Sequence, residues 1–210
     1  MAKIRRRFNE WTSTGKTWPL SATLMAIIVS LTFLVYKGVD ITWLYVLIGL
    51  PLLCFATTGL IYKFLFPSFR RNNVTNALVH ILWTGLVATA TSFIATKTFH
   101  WEILLAALPT GLIASGITHG HGKVAAYSYA FEIMSTYAYV AVLTFIGIFP
   151  MTSIMVFLTI AIAIGCSKTI VNSIEGGAHL TRDLGARTAN LLHLFSILFA
   201  VALLVATVMK

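Results

Sequence analysis

Residues 171–192, VNSIEGGAHLTRDLGARTANLL, hold the densest chemistry in the chain. This stretch carries two of the six acids, Glu175 and Asp183, together with His179, Arg182 and Arg187. On a continuous helix over 172–187, Glu175, His179 and Asp183 fall at i, i+4 and i+8, with Arg187 at i+12. Asn172, three residues before Glu175, shares that face. A carboxylate and an imidazole one turn apart can share a divalent metal, so Glu175, His179 and Asp183 form a candidate metal set. Arg182 and Arg187 suit phosphate oxygens. The same spacing also describes a solvated helix carrying charge at a membrane surface, and Gly176-Gly177 weakens the helix. Both readings stay open at this point.

Two further places could do chemistry. In the segment HGHGK, His119 and His121 stand beside Lys123. Its glycines would let the backbone approach a phosphate, and Lys123 would supply a point charge. Two histidines are too few for a metal site, and the segment reads first as a plain turn between spans. Glu132 sits inside the apolar run VAAYSYAFEIMSTYAYVAVLTFIGIF. An acid inside such a run marks a functional site or a buried partner. Tyr127, Tyr129, Tyr137 and Tyr139 flank it as potential donors. Alternatively, Glu132 lies close enough to the run's start to reach water.

The elements that must position these residues follow from composition. The chain has 210 residues, 58% hydrophobic and 10% charged, with mean hydropathy +0.88. A soluble domain of this size cannot hide that much apolar surface, so the class is an integral membrane protein. Lipid offers no partner to backbone polar groups, and long continuous apolar runs select helices over a barrel. The expected fold is a single all-α transmembrane domain over 1–210. It is a bundle of about seven transmembrane helices, near 20–36, 42–62, 77–96, 101–117, 124–149, 151–167 and 188–209. The first run follows MAKIRRRFNEW without a small-x-small cleavage site, and it is read as an uncleaved span.

Basic residues set the expected orientation. With a cytoplasmic N-terminus, Lys3, Arg5, Arg6, Arg7, Lys16, Lys63, Arg70, Arg71, Lys123, Lys168, Arg182 and Arg187 lie inside, twelve in all. Lys37, Lys97 and Lys210 lie outside, three in all. This bias assigns the +9 net charge to topology and anionic membrane lipids, not to nucleic acid. The loops with polar chemistry, 63–75, 118–123 and 168–187, then share the cytoplasmic side and are expected to converge on one cavity mouth. The expected location is the cell (inner) membrane, crossed several times. Cys54 and Cys166 read as small buried hydrophobes.

Three segments resemble the UbiA-type membrane prenyltransferases, and among them the dihydroxynaphthoate prenyltransferases of menaquinone synthesis. GKTWPLSATLMAIIVSLTF is similar to the family's opening. The segment from His100 to Gly147 is similar to its middle, which places Glu132 on the family's acid. VNSIEGGAHLTRDLGARTANLL resembles the second aspartate motif. Asn172 and Glu175 fall on the Asn and first Asp and His179 on the second Asp, while Gly185, Arg187 and Thr188 match the tail. The first aspartate motif has no counterpart, since 63–75 contains no acid.

The resemblance implies transfer of a polyprenyl chain from its diphosphate to an aromatic acceptor in quinone or lipid synthesis. The catalytic acids would be Glu175 and Glu132. The diphosphate would be held by Asn172, Lys123, Arg182, Arg187, Arg70 and Arg71. Mg²⁺ would be held by Glu175, His179 and Asp183, where imidazole shifts preference towards Mn²⁺ or Zn²⁺. The alternative is a non-catalytic relative that binds an isoprenoid lipid or a membrane-protein partner. The first expectation is topological: reporter fusions after residues 75, 123 and 187 should all read cytoplasmic. One periplasmic reading among them contradicts the assignment.

Overall fold

The computed structural model describes residues 18–60, 73–117, 123–176 and 183–210. Among these residues there are seven α-helices and no strand. They are α1 Trp18–Lys37, α2 Trp43–Leu60, α3 Asn73–Thr96, α4 Glu102–Gly116, α5 Lys123–Phe145, α6 Ile160–Gly176 and α7 Leu184–Val208. A 3₁₀ run, Met151–Thr159, feeds directly into α6. The all-α fold expected from the apolar runs is therefore present. Four segments, Leu20–Lys37, Leu78–Thr96, Met151–Ile174 and Leu184–Val208, are long and apolar enough to cross a membrane. Trp43–Cys54 and Glu102–Gly116 are shorter apolar helices. α5 stands outside both groups, its apolar run interrupted by Glu132 and its tyrosines.

Side-chain contacts fix the direction of each helix. Ser21 meets the imidazole Nε2 of His193 at 3.1 Å, and Lys210 Nζ donates to the Tyr36 carbonyl at 2.8 Å. These pairs make α1 and α7 parallel. Trp83 Nε1 donates to Thr23 Oγ1 at 3.3 Å, and the Thr42 amide donates to the Ala95 carbonyl at 2.9 Å, so α3 runs with them. Tyr139 donates to the Leu105 carbonyl at 3.1 Å, which sets α4 antiparallel to α5. Tyr137 bonds Thr159 at 2.6 Å, and Tyr129 bonds Thr188 at 2.7 Å. α6 thus opposes α5, and α7 follows it. The helices alternate, so the α4–α5 and α6–α7 connections lie at one end.

The opposite end is built from left-handed turns and aromatic rings. α1, α3 and α5 each stop at or beside a residue with positive φ: Gly38 (73°), Lys97 (60°) and Gly147 (80°). After α1, the Val39 amide returns to the Leu34 carbonyl at 3.1 Å. After α5, the Ile148 amide returns to Leu143 at 2.9 Å. These are helix stops that glycine makes without a Cβ penalty. Lys37 Nζ pairs with Glu102 Oε2 at 3.3 Å. Lys97 lies over the Tyr45 ring at 4.6 Å, and Lys210 over Tyr36 at 3.9 Å. The three lysines expected on the outer side therefore stand on aromatic faces or beside an acid, where cation–π attraction holds them.

The exterior is apolar and the interior is rich in small and hydroxyl-bearing residues. Leu47, Leu82, Phe131 and Leu158 face outward at 70–75% exposure. Thr23, Thr84, Thr91, Thr110, Ser115, Thr136 and Thr188 are buried. Thr84, Thr91 and Thr144 donate to carbonyls four residues back, His80, Val87 and Val140, at 2.8–3.0 Å. Such back-bonding satisfies hydroxyls without water. The distribution suits lipid as solvent, where close packing of small residues holds helices together. An aromatic ladder runs from the interior to the end that carries Gly38, Lys97 and Gly147. Tyr137 meets Phe195 at 5.7 Å and 90°, Phe199 meets Phe149 at 5.1 Å, and Phe149 meets Phe33 at 6.1 Å.

Two boundaries differ from the sequence reading. The sixth run opens as a 3₁₀ segment, held by Thr152 Oγ1 donating to the Ala202 carbonyl of α7 at 2.7 Å. It then continues as α6 to Gly176, so Lys168 lies on a helix and not in a loop. The single helix over 172–187 on which the polar stripe depends is also not what the described residues show. α6 ends at Gly176, Asp183 is in a turn, and α7 opens at Leu184. α6 and α7 run in opposite directions, so Asn172 and Arg187 cannot share one helix face.

α4 is the inner helix. Ten of its fifteen residues are buried, among them Ala106, Ala107, Gly111, Ala114, Ser115 and Gly116. A Cβ built on Gly111 would overlap Thr84 Oγ1 and stand 3.0 Å from Ile81 Cα and 3.4 Å from the His80 carbonyl. At Gly85 the nearest atom is Leu104 Cδ2 at 3.5 Å, an ordinary contact. Gly111→Ala is therefore expected to cost about 1–3 kcal/mol through overpacking. Gly85→Ala is expected to be neutral or to gain up to about 1 kcal/mol from helix propensity. Thermal unfolding in detergent followed by tryptophan fluorescence checks both. Equal melting shifts for the two variants would contradict the packing described.

Candidate functional site

The polar chemistry that the structure describes collects near the end where α4 stops and α5 and α7 start. Ser115 is on the last turn of α4, and Glu132 is on α5. The Ser115 hydroxyl donates to Glu132 Oε2, and Ser128, one turn before Glu132, donates to Oε1 at 3.0 Å. Glu132 is 7% exposed. It does not reach water in the way one sequence reading allowed; it is a buried acid with hydroxyl partners. Those partners are serines. Tyr137 and Tyr139 bond to Thr159 and the Leu105 carbonyl, and Tyr127 is exposed.

Beside this pair lies a second one. Thr188 Oγ1 donates to the Leu184 carbonyl at 2.8 Å, which leaves it to accept from the Tyr129 hydroxyl at 2.7 Å. Both side chains are fully buried. Gly116 makes room for them: a Cβ there would come 2.8 Å from Tyr129 Cε2 and 3.2 Å from Thr188 Cγ2. Gly185 lies close to the next turn, with its Cβ position 3.4 Å from the Ile117 carbonyl. Cys166 of α6 is buried next to the Tyr129 hydroxyl. Gly185 and Thr188 of the sequence motif thus bind α7 to α4 and α5, while Arg187 between them is exposed.

The predicted site residues divide as follows. Glu132 is buried as described. Asn172 is exposed on α6, and Asp183 and Arg187 are exposed at the start of α7. Asp183 occupies the N-cap position of α7 without a side-chain capping bond. Glu175 lies in the last turn of α6 and Lys123 at the first position of α5, both with side chains outside the described residues. Arg70, Arg71, His179 and Arg182, and with them the expected convergence of the three loops, also lie outside the described residues.

Among the described residues no three His, Cys, Asp or Glu side chains come together as a metal site. Of the predicted ligands, only Asp183 has a described side chain, and it is exposed. Sequence reasoning missed Ser115, Ser128 and the Tyr129–Thr188 pair. Ser128 was detectable, since it lies four residues before Glu132 on the same helix face. Ser115 is brought in from another helix and carries no local signal; Thr188 is legible in the motif tail, but its bond to Tyr129 arises only from packing.

Comparison of the chain with protein-family models, with curated proteins and with solved structures finds no match. The fold and the apolar exterior define its class, an all-α protein with helices suited to cross a membrane.

The Ser115–Glu132–Ser128 group yields a prediction. Leaving a buried acceptor without its hydrogen bond costs about 1–3 kcal/mol. Ser115→Ala, at the buried end, is expected to lower stability within that range, and Ser128→Ala by less. Glu132→Gln should be milder than Glu132→Leu, because an amide still accepts from a serine. Melting of the four variants in detergent is the check. A Glu132→Leu variant as stable as wild type would show that the group does not hold this end.

Proposed function

We propose that the protein is a multi-pass inner-membrane protein with seven spans and a cytoplasmic N-terminus. We read it as a divergent relative of the UbiA-type prenyltransferases that takes a polyprenyl diphosphate at its cytoplasmic end and transfers the chain to an aromatic acceptor. The observation that carries this reading is the placement of exposed Asn172 and Arg187. They stand on α6 and α7 at the end where Ser115 and Glu132 join α4 to α5. Lys37, Lys97 and Lys210 are held at the opposite end. That separation suits an amphiphile with its charge at one membrane face.

In the transfer, the bond between the allylic carbon and the diphosphate oxygen breaks. The acceptor ring forms the new carbon–carbon bond and loses a proton, and diphosphate leaves. Negative charge concentrates on the leaving group, and fixed donors there lower the barrier. Arg187, with Arg70, Arg71, Lys123 and Arg182, supplies that charge. The Asn172 amide donates to a phosphate oxygen, and Glu175, three residues further along α6, is the acid assigned to the same site. Mg²⁺, where bound, would further neutralise the diphosphate. Glu132 positions α5 through its serines.

A second reading, a non-catalytic binder of an isoprenoid lipid, is favoured by one specific observation. Both carboxylate oxygens of Glu132 already accept from serines, so this acid is occupied. The experiment separates the two: purified protein with labelled polyprenyl diphosphate and Mg²⁺, scoring binding and diphosphate release independently. Binding with release supports the transferase, and binding alone supports the second reading. Arg187→Ala should weaken binding roughly tenfold, and binding should fall with salt. Wild-type affinity in Arg187→Ala overturns the placement of the diphosphate.

A further inference from the structure

α5 carries two buried tyrosines that make the same kind of bond in different places. Tyr137 bonds Thr159, where the 3₁₀ run meets α6, at 2.6 Å. Tyr129, eight residues nearer the start of α5, bonds Thr188 of α7 at 2.7 Å. In both pairs the threonine hydroxyl donates to a carbonyl of its own segment, Val156 at 2.7 Å and Leu184 at 2.8 Å. A hydroxyl has one proton to give, so each threonine accepts and each tyrosine donates. All four side chains are buried.

What differs is the neighbour. Thr188 is the fifth residue of α7 and directly follows Arg187. The first turn of a helix leaves its amides without intrahelical partners, and a capping side chain normally steadies it. Here Asp183 occupies the N-cap position and makes no side-chain capping bond. The Arg187 amide closes the turn by donating to the Asp183 carbonyl at 3.0 Å. The turn is then tied inward by buried Leu184 and by Thr188, which Tyr129 grips from α5. Arg187 is thus an exposed side chain on a backbone whose next residue is locked. A fixed attachment point reduces the freedom that a long side chain loses on binding an anion.

We propose that Tyr129 is a positioning residue for the diphosphate end of the ligand: its hydroxyl, through Thr188, holds the first turn of α7 so that Arg187 stands at the phosphate. The inference rests on the diphosphate reading given above and deepens it. Tyr129 does not touch the ligand and acts only through Arg187. It thereby parts from Tyr137, which makes an equivalent bond to a segment that carries no phosphate-binding residue.

The test is a double-mutant cycle on the full chain in mild detergent, read as affinity for geranylgeranyl diphosphate. Tyr129→Phe is expected to weaken binding about three- to fivefold when Arg187 is present, and to leave it unchanged in the Arg187→Ala background. Thr188→Val should match Tyr129→Phe, while Thr188→Ser, which keeps the accepting hydroxyl, stays near wild type. Tyr137→Phe is the control. It removes the same kind of bond and should lower the melting temperature by a similar amount, yet leave affinity at the wild-type value. These substitutions are near-isosteric, and melting in detergent verifies that each variant is folded. Equal affinity losses in Tyr129→Phe and Tyr137→Phe overturn the proposal, because general loosening then accounts for both. Wild-type affinity in Tyr129→Phe overturns it too, as does an undiminished Tyr129→Phe loss in the Arg187→Ala background. A wild-type chain that binds no geranylgeranyl diphosphate overturns the diphosphate reading and this role together; binding with additive losses overturns the role of Tyr129 alone.

Discussion

At Gly111 the backbones of α3 and α4 approach until no Cβ fits between them, and much of the structure depends on that contact. Glycine and alanine on α4 let it sit inside the bundle, where in lipid the attraction between helices comes from close packing more than from expulsion of water. With α4 held there, Leu105 meets Tyr139 and Ser115 meets Glu132, which fixes the height of α5. Tyr129 then meets Thr188 under Gly116, which fixes α7. A side chain at Gly111 would push α4 outward and loosen each later contact in that series.

The polar groups divide by depth. Inside, threonines return to carbonyls of their own helices or pair with tyrosines. At one end lysines rest on aromatic rings, and at the other Asn172, Asp183 and Arg187 are exposed. Glu132 belongs to the interior set. An acid in an apolar run reads as function by default, yet here its oxygens receive the Ser115 and Ser128 hydroxyls, and its effect is to bind helix to helix.

Helix positions were largely legible from apolar run length, because hydropathy follows the solvent the helices must face. All seven expected runs correspond to helices, most within a few residues. The break between α6 and α7 was less legible. The spacing from Asn172 to Arg187 describes a stripe only if 172–187 is one helix, and Gly176-Gly177 marks where that condition is weakest. Lys168 was assigned to a loop because a charge closes an apolar run, whereas a long side chain lets its backbone stay helical. Of the site, Glu132 was visible as an anomaly. Ser115 was not, since only tertiary packing brings it to Glu132, and Thr188, legible in the motif tail, gave no sign of its bond to Tyr129.

If these alternating helices cross a membrane, residues at the α6–α7 turn and at the α3–α4 turn face opposite compartments. The proposed use of Asn172 and Arg187 for a phosphate-bearing ligand from the cytoplasm requires this. The direct measurement is labelling of single cysteines, Asp183→Cys and Lys97→Cys, by a membrane-impermeant maleimide in a background without Cys54 and Cys166. Right-side-out and inverted vesicles are compared. The account predicts Asp183→Cys labelled only in inverted vesicles and Lys97→Cys only in right-side-out vesicles. Labelling of both from the same side would contradict it.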